Sequence, residues 1–123
     1  MADILDSNRL DNNALATLRE LQDEDDPTFF KDLIDSFISE SQAMLAEVNT
    51  LSAAQNLPAL GRAAHRLKGG ASNIGAKQLT NLCLQLELFT KQLPPSSQDE
   101  IQALITEIHK EFAWVSVALA KEV

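Results

Sequence analysis

The sequence predicts an all-α fold: an antiparallel four-helix bundle with a short extra N-terminal helix, in one domain spanning residues 1–123. Three observations carry that expectation. Apolar residues recur at steps of three and four along nearly the whole chain, the spacing of one helix face, and no stretch shows the alternation of a half-buried strand. The four glycines and four prolines mark a few breaks. An apolar content of 45% at this length suits a chain that buries a genuine core.

Taken in order, residues 1–13 are polar and read as a flexible lead-in. An accessory helix over 14–22 follows, with Ala14, Leu15, Leu18 and Leu21 on the side that docks against the bundle. The bundle itself is expected over 27–121. Asp26 is placed to cap its first helix, with Pro27 in the first turn and the acidic run Asp23-Glu24-Asp25-Asp26 favouring the positive helix end. That helix is predicted to reach about Leu51, burying Phe30, Leu33, Ile34, Phe37, Met44, Leu45 and Val48, with Phe29 and Ile38 flanking the stripe. Asn56 caps the next helix, Pro58 fits its first turn, and Gly75 ends it in the left-handed conformation just past Asn73. The connection is so short that the following helix, with Leu79, Leu82, Cys83 and Leu86 inward, has to run antiparallel to it. Leu93-Pro94-Pro95-Ser96-Ser97 is the clearest break. Ser97 and Glu100 have capping-box spacing and open the last helix, whose seam is Ile101, Ile105, Ile108, Phe112, Val115 and Leu119. The one cysteine, Cys83, lies in an apolar pattern and reads as a core thiol, and no internal disulfide is possible.

One helix departs from the ordinary. Its apolar stripe is Leu60, Ala64, Leu67, Ala71 and Ile74, which turns His65 outward with Lys68, Gly69 and Ser72 on the same face. The adjacent glycines Gly69 and Gly70 each cost about 0.8–1 kcal/mol relative to alanine inside a helix, which calls for a compensating reason. Close approach of another molecule to the backbone supplies one. A neutral imidazole has a nitrogen lone pair able to attack phosphorus, a neighbouring ammonium offsets phosphoryl charge, and a bare backbone leaves room for delivery. A lone histidine on a helix is more often a plain surface residue; Lys68 and Gly69 beside it favour the chemical reading.

Charge is distributed unevenly. The net charge of −8 argues against nucleic acid as a partner. Yet residues 48–98 hold five bases (Arg62, Arg66, Lys68, Lys77, Lys91) against the single acid Glu87, a local +4 centred on His65. That suits a small anionic group brought by an acidic protein site. Met1-Ala2-Asp3-Ile4-Leu5-Asp6 lacks the basic start and apolar run of a secretory signal, and no apolar stretch approaches the ~18–20 residues that cross a bilayer. A soluble, cytoplasmic protein is expected, without membrane association.

His65-x-Leu67-Lys68-Gly69, followed by Ile74-Gly75-Ala76 and Leu82-Cys83-x-x-Leu86-Glu87, resembles the histidine-containing phosphotransfer (HPt) domain of two-component phosphorelays. The resemblance implies a helical bundle whose exposed histidine accepts a phosphoryl group from the aspartate of one receiver domain and passes it to another. By position His65 resembles the phosphoacceptor, Lys68 the charge-stabilising lysine, Gly69 the residue giving steric clearance, and Gly75 the glycine closing the helix. Glu87 and Lys91 fall where family members place polar residues near the histidine, some of them Gln and Arg; paired four apart on their own helix, they also read as a plain surface ion pair. Arg62, Arg66, Ser72, Glu87 and Lys91 are the candidates for partner contact. The implied partners are receiver domains of response regulators and hybrid histidine kinases, met by a monomer. The implied Mg²⁺ belongs to the receiver, so no cofactor or metal site is expected in this chain.

Three rivals are weaker. A diiron bundle needs Glu-x-x-His pairs, but Arg62 and Thr106 stand three residues before the two histidines. An autophosphorylating kinase needs a nucleotide-binding fold, and neither a glycine-rich loop nor an α/β pattern is present. The alternative kept open is a helical adaptor that binds receiver or kinase domains without phosphotransfer; otherwise the chain is a phosphoryl carrier without ATP-dependent enzyme activity.

Overall fold

The structure is a computed structural model that describes residues 9–92 and 97–123. Among the described residues the chain forms five helices: α1 (Asn12–Glu20), α2 (Phe29–Ala53), α3 (Leu57–Asn73), α4 (Lys77–Lys91) and α5 (Gln98–Ala120). There is no strand among them; Leu10–Ala76 and Asp23–Asp26 form isolated bridges only. The four long helices close into a ring in which α2 packs on α3, α3 on α4, α4 on α5 and α5 on α2. Short turns reverse the chain between α2 and α3 and between α3 and α4. Gln98 meets Ser52 at one end of the α2–α5 seam, and Phe37 meets Phe112 far along it, with ring centroids 6.2 Å apart, so α5 runs antiparallel to α2.

The helix ends that depend on local chemistry lie where the sequence puts them. Asn56 Oδ1 accepts from Ala59 N at 3.3 Å. Ser97 and Glu100 form a reciprocal capping box, which satisfies donors that the first turn would otherwise leave without partners. Gly75 has φ 80°, and the amides of Gly75 and Ala76 bond back to Ser72 and Ala71 in the 5→2 and 6→1 pattern of a Schellman ending. The same ending closes α2, with Gln55 at φ 54° in the glycine role, so α2 stops at Ala53 rather than about Leu51. The break read at residues 93–97 lies outside the described residues except for Ser97.

The N-terminal end needs correction. Residues 1–8 of the expected flexible segment lie outside the described residues, but residues 9–13 are tied to the bundle. The Arg9 guanidinium pairs with Glu111, Nη2 to Oε1 at 2.6 Å, and lies 3.7 Å from the centre of the Trp114 ring. Leu10 is buried, and Asp11 both bonds its amide to Gly75 O and caps α1, which therefore begins at Asn12 rather than at residue 14. The helix ends at Glu20, leaving Leu21 exposed beyond the docked face. Asp26 does not cap α2. Asp23 Oδ1 takes the amides of Asp25 and Asp26, so the acidic run closes its own turn, Thr28 becomes the boundary residue, and Gln22 Oε1 takes the Phe30 amide from across that turn.

The core is otherwise the predicted stripes: Phe30, Ile34, Phe37, Leu45 and Val48 from α2, Leu60, Ala64, Leu67 and Ala71 from α3, Leu79, Leu82, Cys83 and Leu86 from α4, and all six seam residues of α5. Phe29, Leu33, Ile38 and Met44 are half-buried. Burial pushes the Cys83 thiol up to about 12, partly opposed by the nearby Lys68 charge, so it stays a protonated packing group.

Candidate functional site

His65 stands on the side of α3 that faces α4, its side chain 65% exposed. The two helices come close there because Gly61, one turn before His65, presents no side chain. A Cβ at residue 61 would lie 2.6 Å from Thr90 Oγ1, which itself donates to Glu87 O at 2.7 Å. Gly61 is a residue the sequence reading passed over. Its signal was available: four residues before His65, on the same face, with the smallest side chain at a helix–helix contact.

That close approach brings Glu87 beneath the imidazole. Glu87 is only 8% exposed, yet its carboxylate accepts from Lys68 Nζ at 2.8 Å, His65 Nδ1 at 3.1 Å and Lys91 Nζ at 3.2 Å. The hydrogen bond from Lys68 holds its carboxyl down to about 2; burial opposes this, and the bonds from Lys91 and His65 reinforce it. An ionised carboxylate can only accept, so Nδ1 of a neutral His65 carries the proton and Nε2 keeps the free lone pair. The surface pair Glu87–Lys91 and the contact of Glu87 with the histidine, read from the sequence as alternatives, occur together. Lys68 is engaged by Glu87 rather than standing free beside the ring.

A carboxyl lowered in this way binds its proton more weakly in the folded chain than in the unfolded one. It therefore stabilises the fold fully above its ordinary value near 4.5 and progressively less as pH falls toward about 2. Glu87→Gln is expected to melt at a lower temperature than the parent at pH 7, since two lysines lose their shared counter-charge. The gap should close as pH falls through that window. Thermal denaturation followed by circular dichroism from pH 7 to pH 2 checks it; a gap independent of pH refutes the charged cluster.

His65, Glu87 and Lys91, with Pro58, Gly61, Arg62, Arg66 and Thr90, line an open groove of about 700 Å³ between α3 and α4. Arg62 is exposed, and Arg66 reaches Glu47 on α2 at 2.7 Å. Ser72 is not brought into this groove: it lines a separate hollow at the α3–α4 turn with Asp11, Gly75 and Lys77. Gly69 is exposed, and a Cβ built there meets nothing within 4 Å; at Gly70 it meets only Phe37, at 3.9 Å, an ordinary contact. Packing within the chain thus requires neither glycine. His109 bonds to Asn49 Oδ1 at 2.9 Å, away from the groove. Among the described residues no three His, Cys, Asp or Glu side chains gather as metal ligands, and no helix is long and apolar enough to cross a membrane.

The family model for the Hpt domain matches residues 32–113, which takes in α3, α4 and every group around His65. The chain belongs to the Hpt domain family. The crystal structure of HptB from Pseudomonas aeruginosa PAO1 superposes with a TM-score of 0.82 at 31% identity, over 93% of both chains. The X-ray structure of a putative histidine-containing phosphotransfer protein from rice shares the Hpt fold, with a TM-score of 0.83 at 20% identity over 98% of this chain and 83% of that one. Histidine-containing phosphotransfer protein 5 of Arabidopsis thaliana is 28% identical over 82 residues, covering 62% of this chain and 50% of that protein. Phosphorelay intermediate protein YPD1 of Candida albicans is 31% identical over 67 residues, covering 54% of this chain and 36% of its own length. This Hpt chain therefore spans half the length or less of these two curated relatives.

Proposed function

We propose that this Hpt chain carries a phosphoryl group on His65 between receiver-domain aspartates, as a cytoplasmic monomer that binds no nucleic acid and is not itself an ATP-dependent enzyme. The observation that carries the reading is the exposed His65 ring held through Nδ1 by an ionised Glu87. In the transfer, the Nε2 lone pair attacks the phosphorus of an aspartyl acyl phosphate in line. The N–P bond forms as the P–O bond to the acyl oxygen breaks, and the aspartate leaves as a carboxylate. Nδ1 keeps its proton, so the phosphorylated ring is cationic, and the Glu87 carboxylate stabilises that cation from below. Return transfer to a second aspartate reverses the same steps. Lys68 and Lys91, both bonded at rest to the carboxylate that holds His65, offset phosphoryl charge as it arrives. Arg62 and Arg66 supply the positive shoulder for an acidic partner, and Gly69 leaves its approach clear. The receiver brings the Mg²⁺ that neutralises the transferring group, so this chain needs no cofactor.

The test is incubation with receiver domains phosphorylated beforehand by acetyl phosphate and Mg²⁺. The chain should acquire acid-labile, base-stable phosphate, and ATP alone should give none. Binding to receivers without label would make the chain an adaptor and overturn the carrier reading; label from ATP alone would overturn the non-kinase reading.

A further inference from the structure

Three glycines lie inside α3, and the packing of the chain requires one of them. A Cβ at Gly69 would meet nothing within 4 Å and one at Gly70 only Phe37, at 3.9 Å, whereas one at Gly61 would stand 2.6 Å from Thr90 Oγ1. That is about 0.8 Å inside 3.4 Å, where ordinary contact begins. Glycine is the poorest helix former after proline, so the room it leaves is its use at this buried position. Thr90 is not free to yield, because its Oγ1 donates to Glu87 O at 2.7 Å. Alanine at residue 61 therefore forces one of two changes: α3 and α4 part, or the Thr90 hydroxyl gives up Glu87 O. Both fall on the turn of α4 that runs from Glu87 to Thr90, opposite the turn of α3 that runs from Gly61 to His65.

We propose that Gly61 and Thr90 are positioning residues for the phosphoryl acceptor, their contact setting the helix spacing that keeps His65 Nδ1 on Glu87 and so commits Nε2 as the attacking nitrogen; this rests on the carrier reading above. The bond concerned has little slack. His65 Nδ1 stands 3.1 Å from Glu87 Oε2, near the long end of the range for such bonds, about 2.7–3.2 Å. A parting of about 0.8 Å at that level takes the two atoms out of reach of each other. Lys68 and Lys91 hold the same carboxylate through flexible four-carbon stems that follow a small shift, but the imidazole, on its short stem, does not. A ring released from Glu87 takes either tautomer, since the hydrogen bond made by one nitrogen decides which of the two carries the proton. Either nitrogen then presents a lone pair to phosphorus.

The experiment compares the full chain with Gly61→Ala and with Gly61→Ala/Thr90→Ala, which removes the hydroxyl and leaves the Cβ of residue 90 at 3.6 Å from the added methyl, an ordinary contact. Nitrogen-15 NMR in mildly alkaline buffer, where the imidazole is neutral, reads the His65 tautomer. Phosphoramidate then labels the ring: the new N–P bond forms as the donor's own P–N bond breaks, ammonia leaves, and the other ring nitrogen keeps its proton. The parent should show the Nδ1–H tautomer and carry its label on Nε2. Gly61→Ala should mix the tautomers, place about a tenth or more of the label on Nδ1, and accept from a phosphorylated receiver more slowly by on the order of tenfold. The double variant should regain the single tautomer, the single isomer and the parent rate to within about twofold. Parent-like tautomer and isomer in Gly61→Ala overturn the proposal. So does a defect that the double variant fails to recover, because the added methyl would then act elsewhere than on Thr90. If Gly61→Ala does not fold, Thr90→Val carries the test: it sets a wider methyl where the hydroxyl faced Gly61 and removes the bond to Glu87 O. It should shift the ring in the same direction, and a parent-like ring there overturns the proposal. A parent labelled by phosphoramidate but by no receiver overturns the carrier reading instead, while tautomer and isomer still decide what Gly61 and Thr90 do.

Discussion

Replacing His65 by glutamine is expected to abolish phosphoryl uptake and leave the bundle standing. The ring is 65% exposed, so little packing is lost, and the glutamine amide still has donors to offer the Glu87 carboxylate. Stability should therefore change by no more than about 0.5 kcal/mol, as for surface substitutions that leave no buried group unsatisfied. Chemistry is lost outright, because an amide nitrogen has no lone pair free to attack phosphorus. The measurement is acid-labile, base-stable phosphate after incubation with a phosphorylated receiver, alongside a thermal melt. Phosphate remaining on His65→Gln would move the acceptor elsewhere. His109 would then be the candidate, although it is bonded to Asn49 and stands outside the groove.

Gly69→Gln should move stability and transfer in opposite directions. A Cβ at residue 69 meets nothing within 4 Å, and its helix would gain up to about 1 kcal/mol of propensity on losing glycine. The melting temperature is expected to rise slightly. Transfer from a receiver should nevertheless fall by on the order of a hundredfold, because a side chain projecting beside the acceptor displaces the donor from in-line contact, and misplacement by about 1 Å is enough for such a loss. The opposed signs distinguish clearance for a partner from any damage to the fold. Transfer at the parent rate would show that the bare backbone at Gly69 serves no docking purpose.

Glu87 shows where reading along one helix ends and the packing of two begins. On α4 alone it is a carboxylate four residues from a lysine, an unremarkable surface pair. Only the closeness of α3, permitted by Gly61 against Thr90, places it under His65 and within reach of Lys68 as well. The start of α2 and the N-terminal end follow the same logic. Asp26 looked like a cap from its neighbours, but Gln22 reached the helix from outside it. Residues 9–13 looked loose, but Arg9 found Glu111, which lies 102 positions away.

The sequence by itself determined the helical plan, the stripes that face inward, the endings at Asn56, Gly75 and Ser97, and the outward turn of His65. All of these follow from the 3.6-residue period and from bonds between residues a few positions apart. The tertiary structure alone decided which carboxylate holds the imidazole, that Lys68 is already engaged, and that Gly61 lets α3 and α4 come close beside the ring. Those depend on the rotation and axial offset of one helix against the next, and no period within a single helix encodes either quantity.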